Sequence, residues 1–471
     1  MTEVTVLGAG PAGLAAALEL AESGVNVTVV EKQDHVGGNA TSFEFGGINV
    51  DYGSHRLHPA SPPQVLKRIR GLLGEDLLTR PRHGRIRLMG RWIHFPLRPA
   101  DLLLKMHPKF AAGVGIDLAG KLIPSSAESS DETFASVLEK GLGKTICKEF
   151  YFPYARKIWG IEPEEISTIQ AYKRVSAGSI GKMLKRLLPG GGGSGGASTK
   201  GIFYYPRYGF GQISRALHDA AVNAGARIQL GTSVQKICLQ DGNRSVVIAD
   251  GMSTQEIPAS QIYSTIPITL LTRLVDIPVP AEVMQASDSL KFRSMVLVYL
   301  LLNQDRFTEY DAHYFPGEDI PFTRISETKN YSDRQEPAGS TSLCAEIPCF
   351  GDSAVWSMSD EALSELVRDG LTQAGLPVRS DILEVQVRRI PFAYPLFNIG
   401  YEKQFESIDA WVNRLDGVLS FGRQGLYAHD NTHHAIFMAQ AAVQCLRGDG
   451  TIDAEAWRDQ RKIFESHVVE D

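Results

Sequence analysis

Cysteine is scarce. The chain has five in 471 residues, at Cys147, Cys238, Cys344, Cys349 and Cys445, and no two stand in a CxxC. An odd, dispersed set argues against a disulfide framework and against a structural zinc site. An excess of positive charge is also lacking. The formal net charge is −6, which places nucleic acid low among candidate partners. No uninterrupted apolar run reaches about 18 residues, so no membrane span is expected. The greasiest long window, 101–123, is broken by Lys105, His107, Pro108, Lys109 and Asp117 and reads as one or two buried helices. The start "MTEVTVLGAG" has an early acid and no basic n-region, so no secretory signal is expected and the cytoplasm is the expected location. No nucleophilic triad or paired-acid motif stands out.

What remains is an ordinary globular composition, 43% hydrophobic and 22% charged, at a length that suggests two or three domains. The N-terminus carries the first chemistry. "VTVL" (4–7) is a short apolar run, "GAGPAG" (8–13) follows, then "LAAALELAESG", then "VNVTVVE" ending at Glu31. This is strand, glycine turn, helix and second strand. Gly8 allows the tight turn, Gly10 lets backbone approach a pyrophosphate, and Gly13 lets the helix close on the sheet. The helix start offers free N–H groups to phosphate. Glu31 stands where an adenosine ribose would be bound. NAD and FAD share this fingerprint. The doublet Gly37-Gly38, just past Glu31, favours FAD. So does the lack of a second nucleotide motif: "GLGKT" (141–145) has Leu138 where a phosphate loop needs glycine, and "GFGQIS" (209–214) lacks a third glycine.

Further along, "GRIRLMGRWIHFPL" (84–97) alternates around a Met-Gly turn and predicts a hairpin. From Pro99 to Leu188 the pattern is helical, with Ser129 and Glu132 spaced as a capping box. "EFYFPYARKIWG" (149–160) ends at a glycine stop. "PGGGGSGGAST" (189–199) can be neither stable helix nor core. "SVQKICLQDGNRSVVIADG" predicts a hairpin turning at Asp-Gly. "LKFRSMVLVYLLLN" (290–303) predicts a long buried strand. Residues 417–446 read as strand, glycine turn, polar loop and helix. His429 and His433 have metal-ligand spacing, but this segment begins rather than continues a helix, so no metal is expected.

The order of these motifs resembles the UDP-galactopyranose mutase family, within the wider group of amine oxidase and protoporphyrinogen oxidase flavoproteins. The stretches that carry the resemblance are "HVGGNATSF", "YGSHRLHP", "GRWIHFPL", "YARKIWG", "IPFTRISETK", "AYPLFN" and "FGRQGLY". The resemblance implies an α/β fold: a Rossmann-type FAD-binding domain with an inserted helical domain and a β-sheet substrate domain. The expected pieces are a discontinuous FAD domain (1–80, 200–268 and 396–460), a helical domain (99–188), a sheet domain (81–98 and 269–395) and a mobile loop (189–199). It also implies a chemistry, in which N5 of the reduced flavin attacks the anomeric carbon of a nucleotide-sugar and no protein nucleophile is needed.

Site residues follow from the resemblance position by position. Toward FAD stand Gly8, Gly10, Pro11, Ala12, Gly13, Glu31, Lys32, Gly37, Gly38, Asn39, Gly53, Ser54, His55, Gly422, Arg423, Asp430, Asn431 and Thr432. His55 and His58 match flavin-side histidines, and with Arg324 are the catalytic candidates. Arg324 matches an arginine on the substrate diphosphate, where a guanidinium can bind in bidentate fashion. Tyr394 matches a phosphate donor, and Tyr154 and Trp159 an aromatic pair near the nucleotide base. Two departures stand out. Asp430 replaces a tyrosine and would repel phosphate unless paired. The mobile loop also lacks its arginine, leaving Lys200 and Arg207 as the nearest candidates. Lys182, Lys185, Arg186, Lys200 and Arg207 around the glycine run favour an anionic substrate. The expected partners are a small-molecule substrate, with a nucleotide-sugar foremost, and an external reductant, and a homodimer is allowed. The alternatives are an FAD-dependent oxidase or desaturase, and a non-catalytic flavin-binding partner of a glycosyltransferase.

Overall fold

The computed structural model describes residues 2–96, 101, 105–120, 132–174, 201–240, 244–332 and 334–469. The glycine run 189–199, Lys200, Lys182, Lys185, Arg186, Ser129 and the Asp-Gly turn at 241–242 lie outside the described residues.

The first strand, β1 (Glu3–Leu7), runs into helix α1 (Pro11–Glu22) and returns as β2 (Asn26–Val30). Both strands pair in parallel within a five-stranded sheet. Its order is Val418–Ser420, Gln261–Ser264, β1, β2 and Arg227–Gln229. Segments far apart in sequence thus build one parallel sheet, and their carboxyl ends share an edge. Both faces are covered, as parallel sheets require. On one face α1 packs with helices Gln212–Asn223 and Thr432–Gln444 around Val4, Val6, Val27 and Val29. The alanines of α1 allow this close approach on nearly every side. On the other face, Leu7, Val30, Ile262 and Val418 meet helices Ala281–Ser289 and Tyr401–Val412.

A seven-stranded sheet forms the second body, with Phe292–Leu302 between Ile382–Pro395 and Thr341–Cys349. The long apolar strand is buried on both sides, with a period of two. Val296, Val298 and Leu300 face helix Asp360–Gln373, whereas Met295, Leu297 and Tyr299 face Phe45, Ile48 and Val50. The hairpin Gly84–Leu88 and Arg91–Phe95 ends this sheet, turning through Met89 and Gly90 at φ of 49° and 75°. That two-residue left-handed turn matches the twist of the strands.

The segment 132–174 adds short helices around Phe134, Leu138, Ile158 and Trp159. Two expectations are corrected here. The helix expected from a Ser129–Glu132 box begins at Phe134, where Thr133 caps it by accepting the Ser136 N–H at 3.2 Å. Helix Pro108–Gly120 is not buried: Phe110 is, but Ile116 is 72% exposed. Its alanines and glycines raise the hydropathy of the window yet present little apolar surface to bury, so the driving force is weak. Among the described residues no helix is long and apolar enough to cross a membrane.

Candidate active site

A cavity of about 710 Å³ opens where the carboxyl edge of the parallel sheet meets the large sheet and helix Phe152–Trp159. This is the crevice that open α/β sheets offer to ligands.

Its first wall is the glycine turn. Gly8 has φ of 101°, which only glycine adopts freely. A Cβ on Gly13 would sit 1.9 Å from the Gly8 carbonyl oxygen, so α1 closes on β1 only through glycine. Gly10 differs: a Cβ there would meet nothing within 4 Å and would project into open space. Gly10 also caps α1 with no side-chain hydrogen bond, and Pro11 opens the helix. The first turn's N–H groups therefore remain available to an anion. Glu31 accepts the Ala9 and Gln33 N–H groups at 2.8 and 2.9 Å, which fixes its carboxylate at the cavity edge. The doublet locks on from the side. Gly37 donates its N–H to the Ala9 carbonyl at 2.8 Å, and a Cβ on Gly38 would lie 3.5 Å from the Gly10 Cα. The open face of Gly10, the uncapped helix start and the acid at the end of β2 fit a dinucleotide cofactor.

The second wall is the loop 53–58. Asp51 anchors it. Its carboxylate accepts from Ser42 Oγ at 2.6 Å, Tyr205 OH at 2.6 Å and the Phe210 N–H at 2.8 Å, and its carbonyl accepts from Tyr299 OH at 2.6 Å. Burial pushes its carboxyl from the ordinary 3.8 up to about 6 despite these bonds. The folded state therefore holds this proton more tightly than the unfolded chain. The associated stability, about 3 kcal/mol, is fully present below pH ~3.8 and lost as pH rises through ~6. An Asp51→Asn variant keeps the acceptor for Ser42 and Phe210 without the charge. Its melting temperature relative to the parent is expected to rise between pH 4 and pH 7, read by thermal unfolding across that range. A flat difference would refute this.

Beyond Asp51, the Ser54 N–H donates to Glu346 Oε1 at 2.7 Å. His55 stacks on Phe210 with ring centres 5.1 Å apart. Burial, followed by the charges of Arg324 and Arg423, lowers its imidazole to about 4, so it is neutral at pH 7. His58 also lines the cavity.

The third wall is cationic. Arg324 donates Nε and Nη2 to the two carboxylate oxygens of Glu346 at 2.8 and 2.7 Å. Glu346 is buried, and Arg324 keeps a small exposed surface at the cavity. Arg56, Arg82 and Arg423 line the same space. Arg56 is held by Tyr314 OH at 2.8 Å and by Asp311 at 3.2 Å. Arg423 donates to the carbonyls of Asp430 and Ala393 at 2.9 and 2.8 Å and lies 5.2 Å over the Tyr394 ring. Asn39 and Gln424 both donate to the Phe392 carbonyl, at 2.9 and 2.8 Å. The end of the large sheet is thus pinned onto the parallel-sheet body.

The cavity gathers most of the residues expected from sequence: Gly8, Gly10, Pro11, Ala12, Glu31, Lys32, Gly38 and Asn39, then Gly53, Ser54, His55 and His58, and Tyr154, Arg324, Tyr394, Arg423, Asp430, Asn431 and Thr432. Gly13, Gly37 and Gly422 stand behind the wall as close-packing positions. A Cβ on Gly422 would lie 2.9 Å from the Ala12 Cβ. Trp159 is also behind the wall, edge-on to His429 and Tyr394 at 4.8 and 5.6 Å. Arg207 is not at the cavity. Its Nε donates to Asp76 at 3.0 Å, because the strand it follows, Ile202–Pro206, pairs with Leu77–Pro81 rather than folding over the site. Sequence reasoning passed over Arg56, Arg82, Asp51 and Glu346. Glu346 did leave a signal, a lone acid inside the apolar strand "TSLCAEIPC".

The sequence pattern described as "Flavin containing amine oxidoreductase" matches residues 11–406. The dTDP-fucopyranose mutase of Escherichia coli is 27% identical over 172 residues, 35% of this chain and 44% of that one. The chain thus spans less than half the length of the first curated relatives it matches. Chloroplastic protoporphyrinogen oxidase 1 of Arabidopsis thaliana is 24% identical over 491 residues, 95% of this chain and 86% of that one. Among solved structures, a reduced UDP-galactopyranose mutase superposes over all of both chains with a TM-score of 0.82 at 20% identity. At that identity the likeness is one of fold.

Proposed function

From the premise that this chain belongs to the flavin-containing amine oxidoreductase family and takes FAD as its cofactor, we propose that it acts on a nucleotide-sugar or related activated sugar. The observation that carries this reading is Arg324. A buried carboxylate fixes two of its nitrogens, and it stands at a cavity already lined by Arg56, Arg82 and Arg423. Such a preset guanidinium suits a diphosphate, because the ordering of the side chain is completed before binding. An amine would meet repulsion there.

Gly8, Gly10, the start of α1 and Glu31 would hold the dinucleotide. The loop 53–58, Arg423 and residues 430–432 would line its other end. Bound FAD supplies the nucleophile when reduced or the hydride acceptor when oxidised, so no serine or cysteine need attack. The chain's own work is binding, orientation and exclusion of water. Arg324 and Tyr394 would bind the diphosphate, and Tyr154 the base. Neutral His55 adds no positive charge beside the arginines and can offer one ring nitrogen as hydrogen-bond donor and the other as acceptor.

The test is a panel of nucleotide-sugars given to purified holoenzyme with and without dithionite. A sugar product that forms only with reduced enzyme, with no oxidant consumed, is the expected result. Substrate-dependent bleaching of oxidised flavin with peroxide release would replace this reading by an oxidase. That second reading is favoured by the near full-length match to a protoporphyrinogen oxidase.

A further inference from the structure

Asp430 places a carboxylate, 3% exposed, in the wall of a cavity suited to an anionic cofactor. Left alone, a buried charge costs several kcal/mol. Its partner comes from the far end of the chain. Asp430 Oδ2 lies 3.2 Å from Nδ1 of His467, itself mostly buried. A carboxylate only accepts, so the imidazole donates. His434 is also near, with Nδ1 3.7 Å from Oδ1. That nitrogen, however, accepts the Asn431 N–H at 3.2 Å, so it has no proton to give. Burial also lowers the His434 imidazole to about 4 and that of neighbouring His433 to about 3, leaving both uncharged at neutral pH. Burial opposes ionisation of Asp430 as well, yet the His467 hydrogen bond, with the Lys173 charge beyond it, holds its carboxyl below the usual range.

The tail that carries His467 is tied at two further points. The Val469 N–H donates to the Lys173 carbonyl at 2.9 Å, and Lys173 Nζ donates to the Glu465 carbonyl at 3.3 Å. Val469 itself reaches the cavity. The His467 ring stacks on His434 at 4.2 Å and 12° and lies against Phe437 and Phe464. One ligand atom from each of Asp430, His434 and His467 falls within 4.8 Å of the others. The face-to-face rings and the engaged His434 nitrogen keep their lone pairs from converging on an ion.

We propose that His467 is a positioning residue for the cofactor: it engages the Asp430 carboxylate from the tail side, so that the charge does not oppose phosphate or flavin in the cavity. The C-terminal tail is thereby part of the cofactor site.

The test uses His467→Ala, His467→Gln, Asp430→Asn and the double variant D430N/H467A, each checked for folding by circular dichroism. The readouts are the FAD dissociation constant of the apoprotein and the flavin reduction potential. H467A is expected to weaken FAD about tenfold, the effect of losing one hydrogen bond to a buried charge. It is also expected to lower the potential, because an uncompensated carboxylate opposes added negative charge. H467Q, whose amide can still donate, recovers most of both. In the D430N background the His467 substitution has little effect. An equal loss in that background would mean that His467 only packs, and the proposal fails. Unchanged affinity and potential in H467A would also overturn it. So would stoichiometric Zn²⁺ binding that H467A abolishes, which would assign the triad to a metal.

Discussion

Gly10→Ala and Gly13→Ala are expected to lose flavin for different reasons, and the difference is measurable in the apoprotein. At Gly13 the new methyl would lie 1.9 Å from the Gly8 carbonyl oxygen and 3.3 Å from Val6 Cγ1. The first of these is backbone, in the glycine turn itself, and cannot swing aside. Helix α1 must move off β1, opening a core that includes Leu14, Ala16 and Val29, all fully buried. Overpacking of this kind costs about 1–3 kcal/mol or more. G13A should therefore purify without flavin and with a clearly lowered melting temperature. At Gly10 the methyl meets no protein atom within 4 Å. G10A should melt as the parent apoprotein does, yet bind FAD at least about tenfold more weakly, because the methyl would occupy the open face proposed for the pyrophosphate. Visible flavin absorbance after purification and thermal unfolding of stripped protein read the two effects separately. Equal melting temperatures for G13A and the parent would sink the packing argument. Full flavin content in G10A would sink the assignment of the phosphate seat.

The same turn explains why this half of the molecule was legible in sequence. Glycine requirements are local: Gly8, Gly10 and Gly13 stand within six residues, and the structure puts Gly8 in a left-handed turn and Gly13 where the helix closes on the strand, as their spacing implies. The strand Phe292–Leu302 was legible for a related reason, since the unbroken apolar run from Met295 to Leu302 leaves few alternatives to a doubly covered strand. The cavity's supports were not legible, because their partners are distant. Glu346 meets Ser54 across 292 residues, and Asp51 meets Tyr205 across 154. No window of sequence contains such pairs. Proximity along the chain also misled. Arg207 follows the glycine run closely, but strand pairing carries it to Asp76. The 108–120 helix was misread because hydropathy counts alanine and glycine as apolar without asking how much surface they can bury.

The largest functional loss is expected at Arg324, and its interpretation depends on Glu346. Arg324→Ala leaves the Glu346 carboxylate, 4% exposed, without its bidentate partner. Breaking a buried pair from one side costs about 3–5 kcal/mol, so R324A would lose stability and activity together and reveal little about substrate. Replacing both partners separates the two. R324M/E346L removes both charges with side chains of comparable bulk, and buried pairs so replaced are often as stable as the parent. The Ser54 N–H loses its acceptor in that variant, a cost of about 1–3 kcal/mol. Its unfolding midpoint should therefore fall between those of the parent and R324A. Affinity for a nucleoside diphosphate should instead fall about a hundredfold or more in both variants, the effect of losing a charged, preset donor. R324K should keep part of that affinity, because the charge remains while the two-pronged hold on Glu346 does not. Urea unfolding and equilibrium titration with a nucleoside diphosphate measure the two quantities independently. If R324M/E346L binds the diphosphate as tightly as the parent, the Arg324–Glu346 pair is a structural brace, and the anionic substrate must be read from Arg56 or Arg82 instead.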